Sequence, residues 1–163
     1  MRILFSAFVL LITGQTAVAD DKTAEEGKIL EFIQHTFDVI ASGDPEQWQA
    51  ILTDKAHHLS FSGVNMPPGD WRLREGAYKD RLVQMDGSPT GYLERWIGEP
   101  TVLNRGPIAV VWGEYEFWIE GEFSHCGVDT INLAKIEGQW KIAHFMWTAE
   151  ADGCPDGYPK PLD

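Results

Sequence analysis

Apolar positions recur at helical spacing in the first part of the chain and alternate with polar ones in the second. From Arg105 to Ala149 the alternation resolves into three strands, Ile108–Ile119, Glu122–Lys135 and Gln139–Ala149. The turns between them carry Ile119-Glu120-Gly121 and Ile136-Glu137-Gly138. Two earlier runs, about His58–Val64 and about Tyr92–Leu103, read as further strands. Between Lys22 and Ser42, Ile29, Phe32, Ile33, Phe37 and Ile40 share one helical face, with Glu25, Lys28, Glu31 and Asp38 on the other. Gly43 suits the C-terminal cap. Asp44-Pro45 reads as the N-cap and first residue of a short second helix, about Pro45–Lys55. Asp70 is placed to cap a third helix, about Trp71–Met85, presenting Trp71, Tyr78, Leu82 and Met85. The Gly-, Pro- and Asp-rich tail from Glu150 reads as loop. Helices followed by a run of antiparallel strands predict an α+β domain.

The two glycine turns decide which side chains share a face. A two-residue turn would put Glu120 and Glu137 at φ > 0, where long side chains are disfavoured. Three-residue loops with glycine in the left-handed position are therefore expected, pairing Trp118 with Glu122 and Lys135 with Gln139. One face then carries Val111, Gly113, Tyr115, Phe117, Phe123, His125, Gly127, Asp129, Ile131, Ala143, Phe145 and Trp147. The opposite face carries Trp112, Glu114, Glu116, Trp118, Cys126, Trp140, His144 and Thr148. In this register Gly113 lies beside Gly127, and glycine pairs let a sheet bend sharply. The expected architecture is a cone-shaped half-barrel, a curved antiparallel sheet wrapped over the N-terminal helices.

The odd-numbered face is apolar and aromatic except for Tyr115, His125 and Asp129, which is the composition of a small-molecule pocket. Tyr115 and His125 fall opposite each other, with Cβ atoms roughly 5 Å apart. The pair could bind a carbonyl or relay a proton, or it could be a satisfied aromatic pair holding the hairpin. Asp129 lies roughly 13 Å along the strand from His125, too far for a dyad. Burial opposite Val111 and Phe145 would raise its pKa unless a helix or an arginine pairs with it. If Asn104-Arg105-Gly106 is another three-residue loop, Arg95 neighbours Tyr115 and could bind a ligand carboxylate; otherwise it is a solvated edge arginine. A bulge at Gly98 would alter that register. His57-His58 point to opposite faces of a strand, and no metal-ligand spacing, phosphate loop or nucleophile elbow occurs, so neither metal nor cofactor is expected.

Residues 1–19 have the pattern of an export signal. Arg2 supplies the positive end, Ile3 to Ile12 the apolar run, and Ala17-Val18-Ala19 the small-residue cleavage site. The expected mature domain is residues 20–163, exported to a periplasmic or extracellular compartment. The formal charge of −12 becomes −13 without Arg2, which opposes binding to nucleic acid or to anionic membrane surfaces. Cys126 and Cys154 both fall in the exported part. With Cys126 opposite Thr148 and Gly153 able to turn the chain, a disulfide is within reach; two unpaired thiols are the alternative. Trp112, Trp118 and Trp140 on the outer face call for a cover, and a homodimer packing sheet against sheet is the simplest one.

The element order, with Ile108-Ala109-Val110-Val111-Trp112, Ser124-His125-Cys126-Gly127-Val128, Gly138-Gln139-Trp140-Lys141-Ile142 and Cys154-Pro155, resembles the nuclear transport factor 2-like superfamily. In particular it is similar to small exported SnoaL-like and lumazine-binding-type domains. The resemblance implies a pocket between the concave sheet face and the helices, and a dimer. The superfamily hosts isomerases, cyclases, dehydratases and binders, so it does not choose a function. Three readings follow. The first is an exported domain binding a small apolar or aromatic molecule, walled by Phe145 and Trp147 and oriented by Tyr115, His125, Asp129 and Arg95. The second is a cofactor-independent enzyme moving a proton on a carbonyl compound, with Asp129 as base and Tyr115–His125 stabilising the oxyanion. The third is a non-catalytic accessory protein that binds a protein partner through the outer tryptophans.

Overall fold

The computed structural model describes residues 15–84 and 91–162. The first fourteen residues of the expected leader, and Met85, lie outside them. Helix α1 (Gln15–Ser42) starts earlier than the expected Lys22. It buries Ile29, Ile33, Phe37 and Ile40 as the spacing requires. Gly43, at φ 62°, ends it by donating its N–H back to the carbonyls of Val39 and Ile40. Asp44 then caps α2 (Pro45–Ile51), accepting from the N–H of Glu46 at 2.8 Å.

Strand β1 (Leu52–Ser62) starts earlier than expected. The segment read as a third helix divides into β2 (Arg72–Ala77) and a short α3 (Tyr78–Gln84). Its helix-forming residues are overridden by antiparallel pairing with β1, Ser60 opposite Arg74. β3 (Tyr92–Arg105), β4 (Ile108–Ile119), β5 (Glu122–Ile136) and β6 (Gln139–Ala149) form an antiparallel meander. The sheet order is β2-β1-β6-β5-β4-β3. It is mixed, because β1 runs parallel to β6. α1 lies across its concave face, where its apolar stripe joins Val111, Ile131, Leu133, Ile142 and Phe145 in one core. No described helix is long and apolar enough to cross a membrane.

Both glycine turns are two-residue turns, contrary to expectation. Ile119 pairs with Glu122 and Ile136 with Gln139. Glu120 (φ 52°) and Glu137 (φ 51°) accept the left-handed conformation, with Gly121 and Gly138 following at φ 82°. The strain, about 1–2 kcal/mol at each glutamate, is offset because such turns match the twist of the paired strands. Each hairpin then carries a bulge. Ser124 is the extra residue of one, so Trp118 faces Phe123 while Phe117 faces His125. Ala143 is the extra residue of the other, so Leu133 faces Ile142 while Asn132 faces His144.

A two-residue turn and a one-residue bulge restore the face parity but move the register by one pleat. Tyr115 is opposite Gly127, not His125. Asp129 is opposite Gly113 and Trp147, not Val111 and Phe145. Near the turns the parity is inverted. Phe123 turns outward against Trp118, their ring centroids 5.6 Å apart. Trp140 turns inward, where its indole N–H donates to Glu25 of α1 at 3.0 Å. The tryptophans expected to share an exposed face are therefore covered differently: Trp118 and Trp140 are buried within the chain, and only Trp112 is exposed.

The outer face is strapped by the tail. Cys126 and Cys154 are joined, Cα to Cα 5.2 Å apart. Beyond that bond, Arg95 ion-pairs with the buried Glu116 and donates to the carbonyl of Lys160, whose own N–H donates to Glu116. A crosslink spanning 28 residues stabilises by about 3–4 kcal/mol on the chain-entropy model.

Candidate functional site

A cavity of about 290 Å³ opens between the concave sheet and helices α2 and α3. Its walls come from every strand of the sheet. Tyr92 and Glu94 lie on β3, Tyr115 and Phe117 on β4, His125 and Asp129 on β5, Phe145 and Trp147 on β6, Ser60 and Ser62 on β1, and Arg74 on β2. Trp48, Tyr78 and Arg81 close it from the helices. Phe145 and Trp147 meet edge to face at 5.3 Å, and His58 stacks on Trp147 at 5.9 Å.

Two glycines make the shape possible. A Cβ on Gly127 would lie 2.0 Å from the carbonyl oxygen of Thr148 and 2.9 Å from the Tyr115 ring. A Cβ on Gly113 would lie 2.9 Å from Trp96. The Tyr115 and Trp96 rings thus pack against bare backbone where a side chain would collide with them.

The floor holds two acids. Asp129 is 0% exposed and Glu94 7%. No N–H or hydroxyl of the described residues reaches either oxygen of Asp129. Its neighbour is the carboxyl of Glu94. Two adjoining carboxyl groups can bond to each other only if one keeps a proton. Burial raises both pKa values, Glu94 to about 7 and Asp129 well above the usual range, and the like charge of Glu94 adds to the rise at Asp129. No arginine or lysine among the described residues neutralises the pair. At neutral pH it is best described as two carboxyls sharing a proton.

Tyr115 and His125 are brought together one pleat off the expected register. The Tyr115 hydroxyl donates to the Thr148 carbonyl at 2.6 Å, so it accepts from His125 Nε2 at 3.1 Å. His125 Nδ1 is then left to accept from the Ser124 hydroxyl at 2.9 Å. Burial pulls the imidazole down to about 4, so it is neutral. Both groups have committed their hydrogen bonds, to each other, to the Thr148 carbonyl and to the Ser124 hydroxyl. Arg95 does not join them. The turn at Gly106-Pro107 is also two residues long, Arg105 pairing with Ile108, so Arg95 faces outward beside Glu116 and the strand offers Glu94 to the cone.

Tyr78 is buried, stacked on Trp48 at 5.4 Å, and lines the cavity. Its hydroxyl has no hydrogen-bond partner among the described residues. Desolvation lifts its pKa, with Glu94 and Asp129 adding to the rise. Glu94 and Tyr78 were not legible as site residues. Glu94 does interrupt the apolar alternation of Tyr92 and Trp96, and Gly106-Pro107 has glycine at the first central position that marks one type of two-residue hairpin turn; together these signals would have placed it inward. Among the described residues no three His, Cys, Asp or Glu side chains converge to hold a metal ion.

No protein-family profile matches the sequence, and no curated protein matches it. Solved structures do. A nuclear transport factor 2-like superfamily protein from Salmonella enterica superposes with a TM-score of 0.62 at 15% identity, over 85% of this chain and 99% of that one. A protein of unknown function from Pseudomonas putida, described as NTF2-like, gives 0.58 at 19% identity over 86% and 94%. The association domain of C. elegans CaMKII gives 0.60 at 19% identity over 78% and 98%. At these identities the likeness is one of fold.

Proposed function

We propose that this chain, which has the nuclear transport factor 2-like fold, takes a small, largely apolar or aromatic molecule into its cone and moves a proton on it without a cofactor. The observation that carries the reading is the Glu94–Asp129 carboxyl pair, buried at the floor of an aromatic cavity with no structural partner among the described residues to account for it. A pair that shares a proton holds a base and an acid at one place. The ionised carboxylate takes a proton from the carbon beside a carbonyl, and the C–H electrons pass to the carbonyl oxygen. The Tyr78 hydroxyl is free to donate to that oxygen as charge develops on it. Return of the proton to another carbon completes an isomerisation; its transfer to a departing hydroxyl completes a dehydration. Tyr115 and His125 hold the hairpin and take no part in this step. Phe145 and Trp147 supply the wall for the ligand's rings.

The test is exchange of the α-hydrogens of indanone in deuterated buffer, followed by proton NMR. The protein should accelerate exchange over buffer, and Asp129→Asn should remove roughly a hundredfold of that acceleration. Bound indanone exchanging at the buffer rate would leave a binding domain and no catalyst.

Two features outside the cone extend the reading. The Cys126–Cys154 bond fits an oxidising compartment and, with the leader-like first nineteen residues, supports export. The exposed Trp112 (48%), Leu103 (65%) and Ile108 (63%) support a homodimer through the β3–β4 side of the outer face, and one structural neighbour is an association domain.

A further inference from the structure

The cavity is electrically divided. Its floor carries the carboxyl pair, and its rim carries Arg74 and Arg81, on a chain whose net charge is −12. Arg81 is partly buried, with its guanidinium 5.5 Å from the centre of the Trp147 ring. Arg74 is exposed, on the strand position opposite Ser60. Neither makes an ion pair or hydrogen bond with any described residue. In a chain with almost twice as many acids as bases, two arginines lining one cavity without a charged partner among the described residues are not explained by surface balance. Nor do they serve the acid pair, which stays un-neutralised. Across the sheet the positions run Arg74, Ser60, Trp147, Asp129, so rim and floor are three strands apart, roughly 14 Å between backbones. Trp147 lies between the two ends and lines the cavity.

From this division of charge we infer that the ligand is a small aromatic or unsaturated carboxylic acid, with its carboxylate at Arg74 and Arg81 and a neutral oxygen, carbonyl or hydroxyl, at the Glu94–Asp129 pair. The inference deepens the proposed function by naming its substrate class and rests on that reading. A guanidinium fixed against an aromatic face offers its remaining N–H groups in the plane of an incoming carboxylate. The Ser60 and Ser62 hydroxyls line the same wall and supply further donors. A carboxylate could not sit at the other end, where the floor already holds negative charge. A neutral oxygen fits there, because a pair that keeps a proton can donate to it.

The experiment compares para-acetylbenzoate with para-acetylbenzamide, which differ in charge at one end and share the ketone at the other. Binding is read by titration calorimetry at two salt concentrations. The acid should bind the wild type at least about tenfold more tightly than the amide, since hydrogen bonds to charged groups exceed neutral ones by that margin. The margin should shrink with added salt. Arg81→Gln should abolish the preference, and an unchanged tryptophan emission spectrum and melting temperature would show that the cavity is intact. Arg74→Gln, at an exposed position, should reduce it in part. Equal binding of acid and amide by the wild type overturns the inference and leaves the proposed cavity function standing. So does a preference that survives both substitutions. If neither compound binds, both the inference and the small-molecule reading fall.

Discussion

Replacing Glu94 with glutamine removes one of the two acids without changing its shape, and stability should respond in a pH-dependent way. In the folded protein Glu94 titrates at about 7 against an ordinary 4.5. A raised acid is bound to its proton more tightly when folded. Its contribution is therefore fully present below about pH 4.5 and is lost as pH rises toward 7. At about 1.4 kcal/mol for each tenfold change, the loss comes to about 3 kcal/mol. His125 runs the other way, since its pKa falls from 6.5 to about 4, so its stability is lost as pH drops through that window. Asp129, raised as well, adds to the Glu94 slope, so the wild-type profile sums opposed slopes and only the comparison isolates the acid pair. In Glu94→Gln the amide donates to Asp129, which can then ionise without a like-charged neighbour. Urea unfolding followed by tryptophan fluorescence at pH 4.5, 6 and 8 should show the variant gaining about 3 kcal/mol on the wild type between the ends of the range. Parallel profiles would refute the shared-proton description of the floor.

Trp147→Ala should weaken indanone binding by about 1–3 kcal/mol through loss of the ring wall, while His144→Ala, on the outer face, should leave it unchanged; titration calorimetry decides between them. Trp112→Glu should convert a dimer to a monomer in sedimentation velocity, because charge would be buried in the apolar patch it shares with Leu103 and Ile108. A wild type that sediments as a monomer at micromolar concentration would show that the outer face has another purpose.

The α+β order, the meander and the inward face of β4 and β5 were legible because alternation survives local irregularity. The expected hairpin loops were one residue too long, and the bulges at Ser124 and Ala143 restored the parity. Tyr115, His125, Asp129, Phe145 and Trp147 accordingly reach the cavity wall, although their cross-strand partners are shifted. On β3 nothing restored it. The irregularity between Ile97 and Thr101 displaces the strand by two residues, which preserves the inversion set by the Gly106-Pro107 turn. Arg95 and Glu94 exchange places for that reason. The strand at Arg72–Ala77 could not be read locally, because its residues favour a helix and only pairing with β1 makes it extended. Arg74 was out of view for the same reason, and Arg81, on the helical part of that segment, because the strand before it sets where α3 meets the cone.

The parallel pairing of β1 with β6 joins segments far apart in the chain, whereas every pairing within the meander joins neighbours. The two halves of the cavity therefore have different standing. The carboxyl pair belongs to the meander, whose contacts are local and close early. The arginine rim belongs to β2 and α3, which the sheet joins to the meander through β1 and which α2 holds through the Trp48–Tyr78 stack. Release of the β1–β6 seam would loosen the cationic end and leave the acidic end standing, so the charge division of the cavity depends on the longest-range strand pairing in the sheet.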